Sequence, residues 1–269
     1  MPDTWHYLEN QFLSVTKKRR GLADAIYKDH LAKLTGKLPG NAALAPLLAV
    51  VNAAGGPWSA KYGEWKNARA EYRGATQGVE NLLDVLRKKP VGGGRSKIEE
   101  WDSKIRAHWS PGDPIYATLL PQGREPFTTG TRDGMLDEVG LLAGRIQPQA
   151  DQLTAAITAA LAAGADATLL TEQRDALVAL KPSVVAFSAQ VNAARSLQTQ
   201  KEGFVDEFSE QLEPLRVGLC VALYRNVGSL MAMLAPHQTA VAGYFDLQLI
   251  MAPPAGDDED EPGGNPPAG

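Results

Sequence analysis

The sequence predicts an all-α protein, an elongated antiparallel bundle of long amphipathic helices. Three observations predict it. From Pro57 to Lys89, the residues Trp58, Trp65, Tyr72, Val79 and Leu86 recur every seventh position, with Ala68, Ala75 and Leu82 between them. That spacing is the apolar seam of a coiled-coil-like helix. Apolar residues return every three or four positions through three further stretches, about 132–163, 169–200 and 204–235. Strand-like alternation is confined to the short run Phe245-Asp-Leu-Gln-Leu.

Taken in order, Asp3 is placed to cap a first helix whose apolar face is Trp5, Leu8, Phe12 and Val15. Leu22 and Ile26 keep nearly the same phase, so residues 4–35 form one helix with a weak point at Gly21, or two. Lys17-Lys18-Arg19-Arg20 lies within it. Four successive residues spread around a helix, so this cluster reads as a solvated face rather than an anion site. Leu38-Pro39-Gly40 is a turn, and Asn41 can cap a helix at 41–54 carrying Leu44, Leu47, Leu48 and Val51. Gly55-Gly56-Pro57 is expected to end it and to open the seam helix at 57–89.

Pro90 to Arg95 is glycine-rich and leads into Ser96, with Glu99 three residues on. That pair predicts a capping box at the start of a helix over 97–109, with Ile98, Trp101, Ile105 and Trp109 inward. A glycine-rich loop beside Arg95 and Lys97 at a helix start can hold a phosphate. The G-x-x-x-x-G-K-[ST] pattern is missing, however, and no strand precedes the loop, so it reads as a connector.

Residues 110–134 form a long irregular loop rich in proline and glycine, with one short turn of helix expected after Asp113-Pro114. Loops of more than about 12–15 residues within a compact domain are uncommon and often functional. Arg124, Phe127 and Arg132 are therefore the candidate partner-binding residues. The competing reading is that Phe127 plugs the end of the bundle and the loop only crosses over. Thr131 can cap the next helix, and prolines at 148, 182 and 214 are expected to kink or split the helices that hold them. A second break is expected at Gln200–Gly203. Residues 244–250 read as a strand-like arm, or as a continuation of the helix. From Ala252 onward proline, glycine and acids dominate, so 252–269 is expected to be a disordered acidic tail behind a single domain at 1–251.

The formal charge of −4 owes much to the tail run Asp257 to Glu261; without those five acids, 26 remain against 27 bases. So balanced a body exerts no overall pull on nucleic acid or acidic lipid. No secretory signal is readable near Trp5 and Leu8, and no run of about 18 apolar residues is free of charge. A soluble, cytoplasmic protein is expected. The lone Cys220, inside the apolar run Val217 to Leu223, is expected to be a buried small hydrophobe.

The chemistry-bearing residues form no recognisable motif. His6, His30, His108 and His237 are scattered, and the His6–Glu9 pair cannot complete a metal shell. No nucleophile elbow, zinc-protease motif or dinucleotide fingerprint occurs. No catalytic, cofactor-binding or metal-binding residue is assigned. Heptad patterning without such residues points to a non-enzymatic structural or protein–protein interaction protein, a helical scaffold or assembly subunit, with a protein partner or self-association. Two alternatives stand beside it. One is a membrane-interacting helical protein of pore-forming type, using Leu44–Val51 or Val217–Leu234. The other is an enzyme with a carboxylate site assembled in the bundle from distant residues.

Overall fold

The computed structural model describes residues 10–16, 19–235 and 237–251. The tail at 252–269, the His6–Glu9 pair and the expected helix start at residue 4 lie outside the described residues. The fold is an all-α helical bundle, with no strand among the described residues. Its helices are α1 (Gln11–Thr16), α2 (Arg20–Lys37), α3 (Ala45–Arg87), α4 (Lys97–Arg106), α5 (Pro114–Leu119), α6 (Arg132–Ala162), α7 (Thr168–Met233) and α8 (Leu247–Met251). The arm at 244–250 is not a strand. It is the end of a 3₁₀ segment, Gln238–Tyr244, followed by α8. A lone strand has no partner for its backbone donors, whereas a helical turn satisfies its own.

Two expected breaks are absent. Gly55-Gly56-Pro57 lies inside α3, and Gln200–Gly203 lies inside α7, which runs for 66 residues. An interior proline costs about 3 kcal/mol through a lost hydrogen bond and a ring clash. Around Pro57, however, Val51 and Trp58 are both fully buried. Burying one large apolar side chain offsets about 1.5–3 kcal/mol, so packing on both sides holds the helix together. Pro148 is carried through α6 in the same way, between buried Ile146 and Leu153.

The chain divides into two compact units: Met1–Ala70 with Gly203–Gly269, and Glu71–Glu202. In the first unit, Trp58, Tyr62 and Trp65 stack along α3 with centroids 5.7 and 5.8 Å apart. The Arg20 guanidinium lies 4.9 Å from the Trp65 ring and donates to Ser209 Oγ on α7. Arg20 of the basic cluster is thus committed to the core rim. Arg216, itself buried, bonds Glu213, the Leu13 carbonyl and Thr16 Oγ1, which docks α1 on α7. Cys220 is buried against Thr16 Oγ1, and burial pushes its thiol pKa up.

The first unit also holds a buried histidine. His30 donates from Nδ1 to the Tyr244 carbonyl (2.8 Å), accepts at Nε2 from Asn226 Nδ2 (3.0 Å) and stacks on Phe245 (4.1 Å). Asn226 Nδ2 also donates to the Leu47 carbonyl at 3.0 Å. This network ties α2, α3, α7 and the C-terminal segment.

In the second unit, α6 and the following part of α7 form an antiparallel hairpin. Gly164, at φ +69°, closes it with a bond from the Ala165 N–H to the Ala160 carbonyl. Val79, Leu83 and Leu86 of α3 join Leu142, Ile146, Leu177, Val184 and Phe187 in one core. Leu83 replaces Leu82 as the fully buried neighbour of Leu86, because a straight helix at 3.6 residues per turn drifts from a strict seven-residue repeat. The expected irregular loop is substantially packed: α5 and the 3₁₀ turn Glu125–Phe127 bury Tyr116, Leu119, Leu120 and Phe127. Among the described residues, α7 alone is long and apolar enough to cross a membrane, with a stretch of mean hydropathy 1.2 of which 28% is buried.

Candidate functional site

The second unit's polar cleft is built on α4. Ser96 Oγ accepts from the Glu99 N–H, and Glu99 Oε2 accepts from the Ser96 N–H at 3.1 Å, so the expected capping box sets the helix register. In that register Ile98, Trp101 and Ile105 point into the core. Glu99, Asp102, Ser103 and Arg106 recur every three or four residues on another face. That polar stripe forms one wall of a cleft of about 270 Å³. Lys89 and Arg95, from the two ends of the glycine loop, and Arg124, from the segment after α5, complete it.

Four cations therefore face two carboxylates. Buried Asp102 is held hardest: through Oδ1 it accepts from Tyr116 Oη (2.7 Å) and Arg106 Nε (2.9 Å), and Arg124 Nε stands 3.5 Å from Oδ2. Arg106 Nη2 also donates to Tyr116 Oη at 3.2 Å, closing a three-residue ring. Burial, then the Asp102 hydrogen bond, raises the Tyr116 phenol above its ordinary pKa. Glu99 is shared between its cap and Arg124 Nη1 at 3.4 Å, with Lys89 Nζ at 3.8 Å. Arg95 makes one hydrogen bond, to Ser103 Oγ. Both carboxylates are engaged by cations, so the cleft offers no free general base but does offer excess positive charge.

The three residues singled out in the sequence have separate fates. Arg124 lines the cleft. Phe127 is fully buried in the second unit's core, on a turn that packs against α6, the placement expected of a plug. Arg132 sits at the first position of α6, 3.3 Å from Glu80 of α3, and donates to Gln198 of α7 at 2.9 Å. It ties three helices together. Lys97, expected near the glycine loop, pairs with Glu100 instead. Of the cleft residues, Arg95 and Arg124 stand out in the sequence as separate candidates, while their convergence with Lys89, Asp102 and Arg106 does not; the periodic polar stripe of α4 behind a capping box was the available signal.

A second surface lies in the first unit. Val217, Val221, Tyr224 and Met231 of α7 are exposed by 37, 53, 39 and 40%. Their spacing of four, three and seven puts them on one face, opposite buried Leu219, Leu223 and Leu230. Gly218 and Gly228 lie beside them, and a Cβ at either would meet nothing within 4 Å.

Comparison with protein-family models, with curated proteins and with solved structures gives no match. Among the described residues, no group of three or more His, Cys, Asp or Glu side chains is placed to hold a metal ion.

Proposed function

We propose that the chain is a non-enzymatic helical interaction protein that assembles with further copies of itself through the outer face of α7, with the cytoplasm as its expected compartment. The observation that carries this reading is the row Val217, Val221 and Met231, large apolar side chains exposed along nearly four helical turns. Each gains free energy by leaving water, at about 25 cal/mol per Å² of apolar area covered. Gly218 and Gly228 present bare backbone beside the row, which lets a neighbouring helix approach closely. A second copy supplies the same face, and a two-fold axis makes such a face self-complementary. The cleft on α4 is in keeping with a non-catalytic role, because cations engage both of its carboxylates.

The test is a full-length variant carrying Val221→Glu and Met231→Glu, followed by sedimentation velocity. Both positions are exposed, so helicity and melting should stay close to those of the unmodified chain. Burying two unpaired carboxylates at an interface should weaken assembly by about tenfold or more. An unchanged assembly in the variant contradicts the reading.

A further inference from the structure

The cleft on α4 has a charge balance that internal pairing does not explain. Two cations would neutralise Glu99 and Asp102. Four converge there, carried by separate parts of the chain: Lys89 follows α3, Arg95 ends the glycine loop, Arg106 closes α4 and Arg124 follows α5. Gathering like charges is unfavourable unless something compensates them. Their donors are also incompletely used. Arg95 makes one hydrogen bond, and Lys89 has no acceptor within hydrogen-bond distance, its nearest carboxylate oxygen being 3.8 Å away. Arg106 commits Nε and Nη2 to Asp102 and Tyr116, and Arg124 directs Nε and Nη1 towards Asp102 and Glu99; the remaining terminal nitrogen of each has no acceptor among the described residues.

The loop between Lys89 and Arg95 is built on glycine. Gly92, Gly93 and Gly94 have φ of +100°, +101° and +120°, and a Cβ at Gly92 or Gly93 would meet nothing within 4 Å. Only glycine adopts that backbone readily, so the loop that carries Lys89 and Arg95 at its two ends turns tightly between them.

We propose that this cleft binds a small oxyanion bearing two negative charges, of the phosphate-monoester kind. Planar guanidinium groups match the paired oxygens of a phosphate, and the lysine adds a mobile point charge. The excess of two positive charges equals the charge that a phosphate monoester approaches at neutral pH. A monocarboxylate would compensate only half of it. A volume of about 270 Å³ suits a phosphate group and a few attached atoms. The helix N-terminus plays no part in the grip, because the Glu99 carboxylate already caps it. The site is independent of the α7 face and requires no assembly.

The experiment is calorimetric titration of the full chain with inorganic phosphate, at constant ionic strength, with acetate as the single-charge control. Saturable binding of phosphate, at least about tenfold tighter than of acetate, is expected. The double variant Lys89→Gln/Arg95→Gln alters only exposed side chains and should weaken phosphate by about tenfold or more while still melting cooperatively. Glu99→Gln gives the decisive opposite sign. Glutamine preserves the capping box but removes a competing charge, so phosphate should bind more tightly. A merely structural ion-pair network would not respond in that direction. No saturable heat up to about 10 mM phosphate, equal affinity for acetate, or weaker binding by Glu99→Gln overturns the proposal.

Discussion

At the scale of single residues, Phe127 shows what the segment between α4 and α6 does. It is fully buried while Arg124, three residues before it, is exposed and paired with Glu99 and Asp102. Phe127→Ala should destabilise the fold by about 3–5 kcal/mol, the cost of emptying a core aromatic site. Arg124→Ala should cost no more than about 1 kcal/mol, because the Arg124 side chain is largely solvated and buried Asp102 keeps its bonds from Tyr116 and Arg106. Urea unfolding of the two variants measures both, and equal losses would contradict the assignment of Phe127 to the core. His30 makes a separate prediction about pH. Burial holds its imidazole below the ordinary histidine value, against smaller opposing effects from the Tyr244 carbonyl and Asp29, while Lys33 acts in the same direction as burial. Neutral His30 donates to Tyr244 and accepts from Asn226; a second ring proton would face the Asn226 amide donor. The unfolded chain binds this proton more readily than the folded one. The His30 contribution is therefore complete above about pH 6.5, falls as pH drops below that value, and levels off below the depressed folded value. Unfolding midpoints at pH 7.5 and 5.5 should differ more for the native chain than for His30→Gln, and identical pH dependence in the two would refute this account.

At the scale of the element, the local signals in the sequence were legible wherever a single side chain settles the backbone. Ser96 with Glu99 forms its capping box, Asp113 caps α5, and Thr131 caps α6. Gly55 misleads for a physical reason. Read locally, Gly55-Gly56-Pro57 is a helix break. In the structure Gly55 is a notch in α3 that receives the Tyr27 ring, and a Cβ there would overlap the ring carbons. Tyr27 also donates to Asn52 Oδ1 at 3.1 Å, one turn before the notch. The partner that makes glycine necessary lies on α2, and no local pattern announces it. Gly55→Ala should therefore destabilise by roughly 1–3 kcal/mol through overpacking, despite the better helix propensity of alanine. Gly74→Ala, where nothing lies within 4 Å, should instead stabilise by up to about 1 kcal/mol. Thermal melts of the pair decide the matter: shifts of the same sign would mean that the notch does not govern the choice of residue.

At the scale of the whole molecule, the fold class was legible because the apolar period persists over many turns: Trp58, Trp65, Val79 and Leu86 are buried as their spacing predicts. The polar cleft was not legible. Arg95 and Arg124 are separate candidates on sequence alone, but they meet Lys89 and Asp102 only after α4 and the segment following α5 fold back towards each other, and no local pattern announces that meeting. The outer face of α7 was half legible: Val217 to Leu234 is conspicuously apolar, but which of its side chains are exposed is set by packing that no local pattern announces. The exposed Val217, Val221 and Met231 are the basis for the proposed assembly of the chain with itself. Light scattering on the eluting size-exclusion peak, over a range of loading concentrations, tests it most directly. The account predicts a mass that rises with concentration from 28.8 kDa towards a whole multiple of it. A constant 28.8 kDa at every concentration would contradict it.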